Sequence, residues 1–390
     1  MNIGIDKIGF FAPPYYVDMT KLAEARGVDP DKFTIGIGQD EMALAPVTQD
    51  AVTLAANAAL QIIDEEDKEK IDLVLFGTES GIDHSKSAAV YVHNLLGLNP
   101  YARSVELKQA CYSATAGIQM AKGHIALNPD SKVLVIGADI ARYGLGTPGE
   151  ATQGAGAVAM VISKDPKLLL LENDSTYFTN DIMDFWRPLY SENAYVDGKF
   201  SNEQYILFFN KVWEKYKERT GRTLADFAAL CFHTPYTKMG WKALRTILEE
   251  GTEEVQEKLK ANYQTSIRYN RRVGNIYTGS LYLSLLSLLE ENDTIQAGEK
   301  IGLYSYGSGA VGEFFTGILQ PDYKKYLHIN RHEELFRSRE EVSVEKYEEI
   351  FQNTLPSDGA SIELESDNDP SPIYLSGIQD HKRIYVNRIR

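Results

Sequence analysis

The sequence contains little cysteine: Cys111 and Cys231 are the only two among its 390 residues. This number excludes a disulfide framework and zinc sites built from cysteine pairs. Long apolar runs are also lacking, since the best candidate, residues 281–289, is interrupted by Tyr and Ser, and residues 1–7 lack the basic and apolar pattern of a signal peptide. These absences predict a soluble, cytoplasmic protein with reduced thiols and no membrane partner.

Basic patches are equally scarce. The formal net charge is −15, and the densest basic runs are pairs such as Arg271 and Arg272. Because an acidic surface repels phosphate backbones, a nucleic-acid partner is not expected. The 43% hydrophobic and 24% charged content is that of a globular protein, which excludes a disordered or coiled-coil chain.

The first part of the chain alternates short apolar strands with amphipathic helices. The pattern predicts helices over residues 49–63, from residue 85 to Gly97, and after Cys111. The predicted strands cover residues 71–76, 104–107, 132–138 and 155–162. Such alternation is typical of an α/β fold.

The second part repeats this order. It has a predicted strand over residues 227–233, a helix from Tyr236, and a polar turn at residues 274–280 that opens an apolar helix. Residues 301–311 then end in Gly-Ser-Gly-Ala-Val, which parallels Gly-Ala-Gly-Ala-Val at residues 154–158. We therefore predict an internal duplication, with halves at residues 1–165 and 166–390.

Two segments of the second half stand apart from the duplication. Residues 168–223 are rich in aromatic and turn residues, and we interpret them as an insertion of loops that caps the core. Residues 331–390 form a charged extension with candidate strands at 373–375 and 384–386, for which no catalytic role is expected.

Cys111 is the candidate nucleophile. It lies between a short strand and a helix, and a helix N-terminus stabilises a thiolate and lowers the thiol pKa. The small residues after it leave room for an acyl group. A lone cysteine is more often a small buried hydrophobe, which is the interpretation that fits Cys231 within its apolar strand.

Glu79 and His233 end corresponding strands in the two halves. A poorly solvated carboxylate at Glu79 would have the raised pKa of a general base. A glutamate in such a position is more often an ordinary loop residue, and a histidine such as His233 is more often a hydrogen-bonded structural residue. The duplication changes this balance, because Cys111 and Asn275 also match as helix starts. The four residues would then converge on one site suited to acyl chemistry.

Three other patterns are weaker. Lys238 and Lys242 share a helix face, which is either solvated or a clamp for an anionic tail such as a nucleotide phosphate. Residues 144–149 match GxGxxG but lead into a strand, so a dinucleotide site is rejected. His328 and His332 lack a third ligand, and we expect surface residues rather than a metal site.

Several motifs together closely resemble hydroxymethylglutaryl-CoA synthases of the bacterial mevalonate pathway. They are Gly-Thr-Glu at 77–79, Ala-Cys-Tyr-Ser-Ala-Thr-Ala at 110–116, Asp-Phe-Trp-Arg-Pro at 184–188, Phe-His-Thr-Pro-Tyr at 232–236, Gly-Asn-Ile-Tyr-Thr-Gly at 274–279 and Ser-Tyr-Gly-Ser-Gly-Ala at 305–310. The resemblance runs from about residue 3 to residue 319. Ala151, where the family commonly has proline, and residues 189–194 depart from it.

The resemblance implies a thiolase-like fold: two duplicated βαβαβαββ-type halves in a five-layered αβαβα body, as a homodimer. It also implies condensation of acetyl-CoA with acetoacetyl-CoA and water to hydroxymethylglutaryl-CoA, in the mevalonate route to isoprenoids, without a metal or other cofactor. Cys111 would carry the acetyl group, Glu79 would be the general base and His233 the general acid. The implied ligand contacts are Asp29, Tyr143, Thr152, Ser201, Lys238, Lys242, Asn275 and Ser308.

Other functions remain open from the sequence. A thiolase would need a second cysteine near its C-terminus, and none follows Cys231. A ketoacyl synthase III-like enzyme pairs cysteine with histidine and asparagine and has no need for Glu79. A cysteine hydrolase using Cys111, His233 and Glu79, and a CoA-binding scaffold without catalysis, are the alternatives from other classes.

Overall fold

The computed structural model describes residues 1–389; Arg390, at the end of the predicted extension, lies outside the described residues. The strands are β1 (Ile3–Phe11), β2 (Tyr15–Asp18), β3 (Glu41–Leu44), β4 (Ile71–Gly77), β5 (Arg103–Leu107), β6 (Lys132–Ala141), β7 (Gly154–Lys164), β8 (Leu169–Leu171), β9 (Thr176–Thr179), β10 (Phe185–Trp186), β11 (Tyr195–Val196), β12 (Ala229–Phe232), β13 (Lys300–Gly307), β14 (Val311–Leu319), β15 (Glu340–Glu341), β16 (Ile362–Glu363), β17 (Ile373–Gln379) and β18 (Lys382–Asn387).

The α-helices follow the predicted alternation. They are α1 (Met19–Ala25), α2 (Ala51–Leu60), α3 (Glu65–Lys70), α4 (Ala88–Leu96), α5 (Ser113–Leu127), α6 (Gly198–Thr220), α7 (Thr237–Leu244), α8 (Glu253–Ser266), α9 (Arg268–Val273), α10 (Ser280–Glu291), α11 (Ile329–Arg337) and α12 (Val344–Gln352), with a π-helical turn at Lys32–Ile37. As predicted, Gly97 ends α4 in a left-handed conformation. No helix in residues 1–389 has both the length and the apolar character of a membrane span.

Ten strands form one continuous mixed sheet. Its order is β12-β13-β14-β8-β1-β7-β6-β4-β5, with β9 pairing on β14. The first half contributes β5-β4-β6-β7-β1 and the second contributes β12-β13-β14 with β8 and β9. The short strand β8 pairs with both β1 and β14 and so joins the halves.

The apolar core shows why the layers form. In β6, Val133 and Val135 pack in a cluster with α5 and α10, whereas Leu134 and Ile136 pack in a second cluster with α2 and α4. A strand buried on both faces reads as a continuous apolar run, as β6 and β7 do. A third cluster places α6 and α7 against β12–β14.

Five layers therefore follow one another. The outer layer of the first half is α2 with α4, followed by the first-half strands, the central helices α5 and α10, the second-half strands, and the outer helices α6 and α7. Helix α10 is buried over almost its whole length, which is typical of a helix in a central layer. The predicted five-layered αβαβα, thiolase-like fold is confirmed.

The interpretation of residues 168–223 as loops and a cap is wrong for most of that segment. It contributes β8 and β9 to the sheet and the 23-residue helix α6, whose Phe208 and Trp213 are fully buried. Strands of three or four residues give too short an apolar run to be recognised, and the charged outer face of α6 conceals its buried stripe. Only the hairpin β10–β11 matches the predicted cap.

The repeated Gly-x-Gly-Ala-Val motif also differs between the halves. Residues 154–158 lie within β7, whereas Gly309 and Ala310 lie in the turn between β13 and β14. The motif thus belongs to a strand in one half and to a hairpin turn in the other, so it was not evidence for equivalent strands.

The C-terminal extension packs on the body. The predicted strands at 373–375 and 384–386 are confirmed within β17 and β18, and Asn57 of α2 hydrogen-bonds the Ile373 backbone. The expectation that His332 is a surface residue is wrong: it is buried, with Nδ1 2.8 Å from a Glu290 carboxylate oxygen. No cluster of three metal-ligating side chains occurs in the described part of the chain.

Candidate active site

Cys111 lies in a tight turn between β5 and α5. Ala110 has a φ of 44°, in the left-handed region, and Ser113 holds the turn by accepting from the Gln109 N–H (2.6 Å) and donating to the Ala110 carbonyl (3.0 Å). Helix α5 begins two residues after Cys111, with Tyr112 as its N-cap. The turn presents the thiol to a cavity.

Glu79, just beyond the end of β4, contacts this thiol directly. Cys111 Sγ donates a hydrogen bond of 3.0 Å to Glu79 Oε1. Burial and the nearby Asp139 raise the pKa of Glu79 to about 8. Burial and the Glu79 carboxylate raise the pKa of the Cys111 thiol well above its ordinary value. The predicted lowering of the cysteine pKa is therefore wrong, because a neighbouring anion and burial outweigh the helix terminus.

Asp139 was not identified from the sequence. It is fully buried on β6 and accepts hydrogen bonds from the Glu79 N–H (2.7 Å), the Ser80 hydroxyl (2.9 Å) and the Thr278 hydroxyl (2.6 Å). It thus fixes the end of β4 to the turn before α10. The available signal was a carboxylate inside an apolar strand, a pattern that marks functional sites.

His233 follows the last residue of β12. Its N–H donates to the Tyr304 carbonyl (2.8 Å) and its own carbonyl accepts from the Tyr205 hydroxyl (2.6 Å). Burial lowers the pKa of His233 to about 3, so the ring is neutral at pH 7. Within residues 1–389, no group hydrogen-bonds its Nδ1.

A cavity of about 430 Å³ brings most of the predicted residues together. Its lining includes Cys111, Tyr143, Thr152, Ser201, His233, Lys242, Asn275 and Ser308. Glu79 lies behind Cys111, and Asp29 and Lys238 are outside the lining. Asp29 is exposed in the loop before the π-helical turn, whose Gly36 and Ile37 do line the cavity.

Polar side chains in the cavity have defined partners. Lys242 Nζ donates to the Tyr236 hydroxyl (2.8 Å). Asn275 Oδ1 accepts from the Tyr277 N–H (2.9 Å) and the Ser280 hydroxyl (3.1 Å), and its side chain also hydrogen-bonds Tyr143.

Asp184 organises the opposite wall of the cavity. This buried carboxylate accepts from the Tyr306 hydroxyl (2.8 Å), the Gly309 N–H (2.8 Å) and the Ser201 hydroxyl (3.1 Å). In the sequence, Asp184 and Tyr306 stood out only as parts of motifs, and Tyr205 was not identified, because their contacts join segments far apart in the chain.

Aromatic rings close the remaining side. Phe185 of β10 contacts Tyr143 and Tyr277 at centroid distances of 6.1 and 5.8 Å, and these two tyrosines meet at 6.2 Å. Pairing of Phe185 with Val196 on β11 places the hairpin over the cavity. The site can thus hold an acyl group at a thiol with a carboxylate and a neutral imidazole in one sheltered cleft.

Comparisons with known proteins cover nearly the whole chain. Family models for the N-terminal and C-terminal parts of hydroxymethylglutaryl-coenzyme A synthase match residues 1–167, and 170–261 with 245–385. The hydroxymethylglutaryl-CoA synthase of Enterococcus faecalis is 58% identical over 358 residues, covering 92% of this chain and 94% of that protein.

Two further relatives are informative. The polyketide biosynthesis 3-hydroxy-3-methylglutaryl-ACP synthase PksG of Bacillus subtilis is 31% identical, covering 100% of this chain and 97% of that protein. A crystal structure of HMG-CoA synthase complexed with CoA superposes with a TM-score of 0.96 at 49% identity, covering 99% of this chain and 100% of that one.

Proposed function

Since the chain belongs to the hydroxymethylglutaryl-coenzyme A synthase family of acyl-CoA condensing enzymes, we propose that Cys111, Glu79 and His233 are its catalytic residues. The substrates are acetyl-CoA and acetoacetyl-CoA, and the place of the reaction is the mevalonate route to isoprenoids. The observation that carries the proposal is the 3.0 Å contact between the Cys111 thiol and Glu79, in a cleft shared with His233.

In the first step, Cys111 attacks the thioester carbon of acetyl-CoA. The thiol proton passes to the ionised form of Glu79, whose raised pKa makes it a stronger base than an ordinary carboxylate. The C–S bond to CoA breaks and the departing sulfur takes up that proton, leaving an acetyl thioester on Cys111 and an ionised Glu79.

In the second step, Glu79 removes a proton from the acetyl methyl group. The enolate carbon attacks the ketone carbon of acetoacetyl-CoA, and a new C–C bond forms. His233 is neutral and therefore polarises the ketone oxygen by hydrogen bonding rather than as an imidazolium acid. The proton that Glu79 removed then passes to the resulting alkoxide, which gives the hydroxyl group of the product and returns Glu79 to its ionised form. Holding both reactants in one cleft lowers the barrier by roughly 7–11 kcal/mol.

In the third step, water hydrolyses the enzyme thioester and releases hydroxymethylglutaryl-CoA. The Gly309 N–H already donates to Asp184, so we assign the oxyanion contacts to the N–H groups of Cys111 and Ser308. Each step is complete with these side chains and water, and we propose that no metal or organic cofactor takes part.

The remaining predicted residues are proposed to bind the substrates. Lys242 would contact an anionic part of CoA, and Asn275 would donate from its amide group to an acyl oxygen. The other proposed contacts are Asp29, Tyr143, Thr152, Ser201, Lys238 and Ser308. Asp29 is exposed, Lys238 is half-buried and both lie outside the cavity lining, which suits contacts with the outer end of a long ligand.

We also propose a homodimer and a cytoplasmic location. Strand β5 is the last strand of its sheet, and in the described part of the chain nothing pairs with its outer edge, where Val105 is 44% exposed. A second copy of β5 would satisfy that edge. The thiol chemistry of Cys111 needs the reducing conditions of the cytoplasm.

Intact-mass measurement after mixing with acetyl-CoA alone tests the proposed function. We expect an acetyl adduct that is absent in Cys111→Ala. Rapid consumption of acetyl-CoA without an adduct would indicate a hydrolase, and no reaction would indicate a binding scaffold. Adding acetoacetyl-CoA to the adduct should then release hydroxymethylglutaryl-CoA, identified by mass.

A further inference from the structure

Tyr112, the residue after Cys111, extends away from the cavity toward the other half of the molecule. Its hydroxyl donates a hydrogen bond of 2.6 Å to Glu313 Oε2. Glu313 lies on β14 and is 2% exposed. A side chain from the second half therefore holds the residue that caps the helix behind the nucleophile.

Glu313 contacts the same helix at a second point. Gln119, two turns further along α5, donates from Nε2 to Glu313 Oε1 at 2.8 Å. Each carboxylate oxygen thus fixes a different part of α5. Because the two donors lie on one helix, Glu313 restrains both the position and the rotation of the first turn.

The hairpin that carries Glu313 touches the nucleophile turn elsewhere. Gln109 Nε2 donates to the Ser308 carbonyl (3.2 Å). A Cβ on Gly307 would lie 2.5 Å from the Gln109 carbonyl oxygen and 2.7 Å from Tyr112 Cβ, so the hairpin packs on the turn without any gap. The β13–β14 hairpin therefore forms one wall behind the turn that bears Cys111.

The carboxylate is held by hydrogen bonds and not by a cation. No lysine or arginine in the described residues makes an ion pair with Glu313; the nearby Lys122 donates instead to the Glu172 carbonyl (2.7 Å). A buried carboxyl group is costly unless its hydrogen bonds are satisfied. The hydrogen bonds that satisfy Glu313 include those to Tyr112 and Gln119 of α5.

We propose that Glu313 is a positioning residue, which holds Tyr112 and through it the turn that presents Cys111 to the acetyl donor. The inference rests on the proposed role of Cys111 as nucleophile. Glu313 touches no substrate, and its effect is geometric, because a small displacement of an attacking atom is sufficient to slow a reaction strongly.

The test compares Tyr112→Phe and Glu313→Gln in single-turnover acetylation. We expect both to slow formation of the Cys111 adduct by about tenfold or more, with little change in KM for acetyl-CoA. The double variant should be no slower than the slower single variant, since both changes act on the same contact between Tyr112 and Glu313. Because the effect is geometric, the pH profile of acetylation should keep its midpoint.

Tyr216→Phe is the matched control. It removes another hydrogen bond from a tyrosine hydroxyl to a buried carboxylate, the 2.7 Å contact with Asp174, in the outer α6 layer. We expect the control to acetylate at the native rate. Native-rate acetylation in both test variants, or an equal loss in the control, would overturn the positioning role. Absence of an adduct in the unaltered protein would instead refute the proposed function.

Discussion

The contact between Cys111 and Glu79 makes one proton serve two acids. Burial and the Glu79 carboxylate raise the pKa of the Cys111 thiol, whereas burial and Asp139 raise the pKa of Glu79 and the hydrogen bond from the thiol lowers it. Once pH exceeds the Glu79 pKa of about 8, the pair is a thiol bonded to a carboxylate. Such a pair transfers its proton over 3.0 Å when the sulfur attacks, and no other side chain has to move.

Condensation should depend on pH through Glu79. The ionised carboxylate is the base that removes the methyl proton, so the rate should rise as pH passes upward through about 8 and fall as pH decreases below it. Measurement of the condensation rate on preformed acetyl-enzyme between pH 6 and 10 checks this. In Glu79→Gln we expect a loss of about 10²–10⁴-fold and no such rise. A flat profile in the unaltered protein would contradict the assignment.

The Glu79→Gln change that slows condensation should make the Cys111 thiol more reactive toward alkylation. Where Glu79 is ionised, above its pKa of about 8, loss of its charge lowers the pKa of Cys111, so a larger fraction is thiolate. We expect Glu79→Gln to be alkylated by iodoacetamide at about pH 9 several-fold faster than the unaltered protein, with Cys111→Ala as the control for labelling elsewhere. Slower alkylation would mean that Glu79 does not suppress the thiolate.

The proximity of Cys111, Glu79 and His233 could be predicted from the sequence, whereas the protonation of these groups could not. The repeated strand ends identified Glu79 and His233 as a pair facing Cys111. The direction of the cysteine pKa was wrong, because it depends on burial and on a carboxylate 32 residues away in the chain. Asp139 and Asp184 were missed for the same reason: their partners come together only in the folded chain.

Among the elements, the β13–β14 hairpin has the closest fit to the site. It carries Ser308 in its turn and packs Gly307 against the turn at Cys111, where a side chain has no room. The sequence pattern predicts residues 301–311 as one stretch that parallels residues 154–158. The structure instead reverses the chain after Gly307. A Gly-rich segment can either continue a strand or form a turn, and the packing around it decides which.

Gly307→Ala should therefore displace the nucleophile turn. Its Cβ would approach the Gln109 carbonyl and Tyr112 to 2.5 and 2.7 Å, and we expect a loss of about 1–3 kcal/mol in unfolding free energy. Acetylation should slow by about tenfold or more. Urea unfolding and the single-turnover rate measure the two effects.

Gly123→Ala provides the contrast. Gly123 is exposed within α5, and nothing lies within 4 Å of an added Cβ. Alanine should raise the free energy of unfolding by about 0.5–1 kcal/mol and leave acetylation unchanged. Equal behaviour of the two variants would show that the close packing at Gly307 has no influence on the site.

For the whole molecule, the family and the layered α/β body were predicted correctly from motifs and periodicity. The apolar strands of the first half are long enough to recognise, whereas β8 and β9 of the second half are not. Division of the chain at residues 165 and 166 stays a prediction; it falls between β7 and β8. Within residues 1–389, the second half also lacks a counterpart of β5 beyond β12.

The proposed dimer depends on the outer edge of β5. Val105→Glu would place two like charges opposite each other across a two-fold axis, and we expect dissociation to monomers in sedimentation at micromolar concentration. Tyr326→Glu is the control, because Tyr326 is similarly exposed at 40% but lies after β14. A Val105→Glu protein that stays dimeric would place the interface elsewhere.

Because the second half has no counterpart of β5 beyond β12 in the described residues, the two ends of the sheet differ in their ability to pair with another copy. At the opposite end of the sheet, β12 is buried, and Asn262 of α8 donates to the Ala228 carbonyl beside it, so that end is covered. A sheet with one available edge joins one other copy and then offers no site for a third. In the proposed dimer, the divergence of the duplicated halves would therefore limit sheet extension to a closed pair and prevent fibre growth.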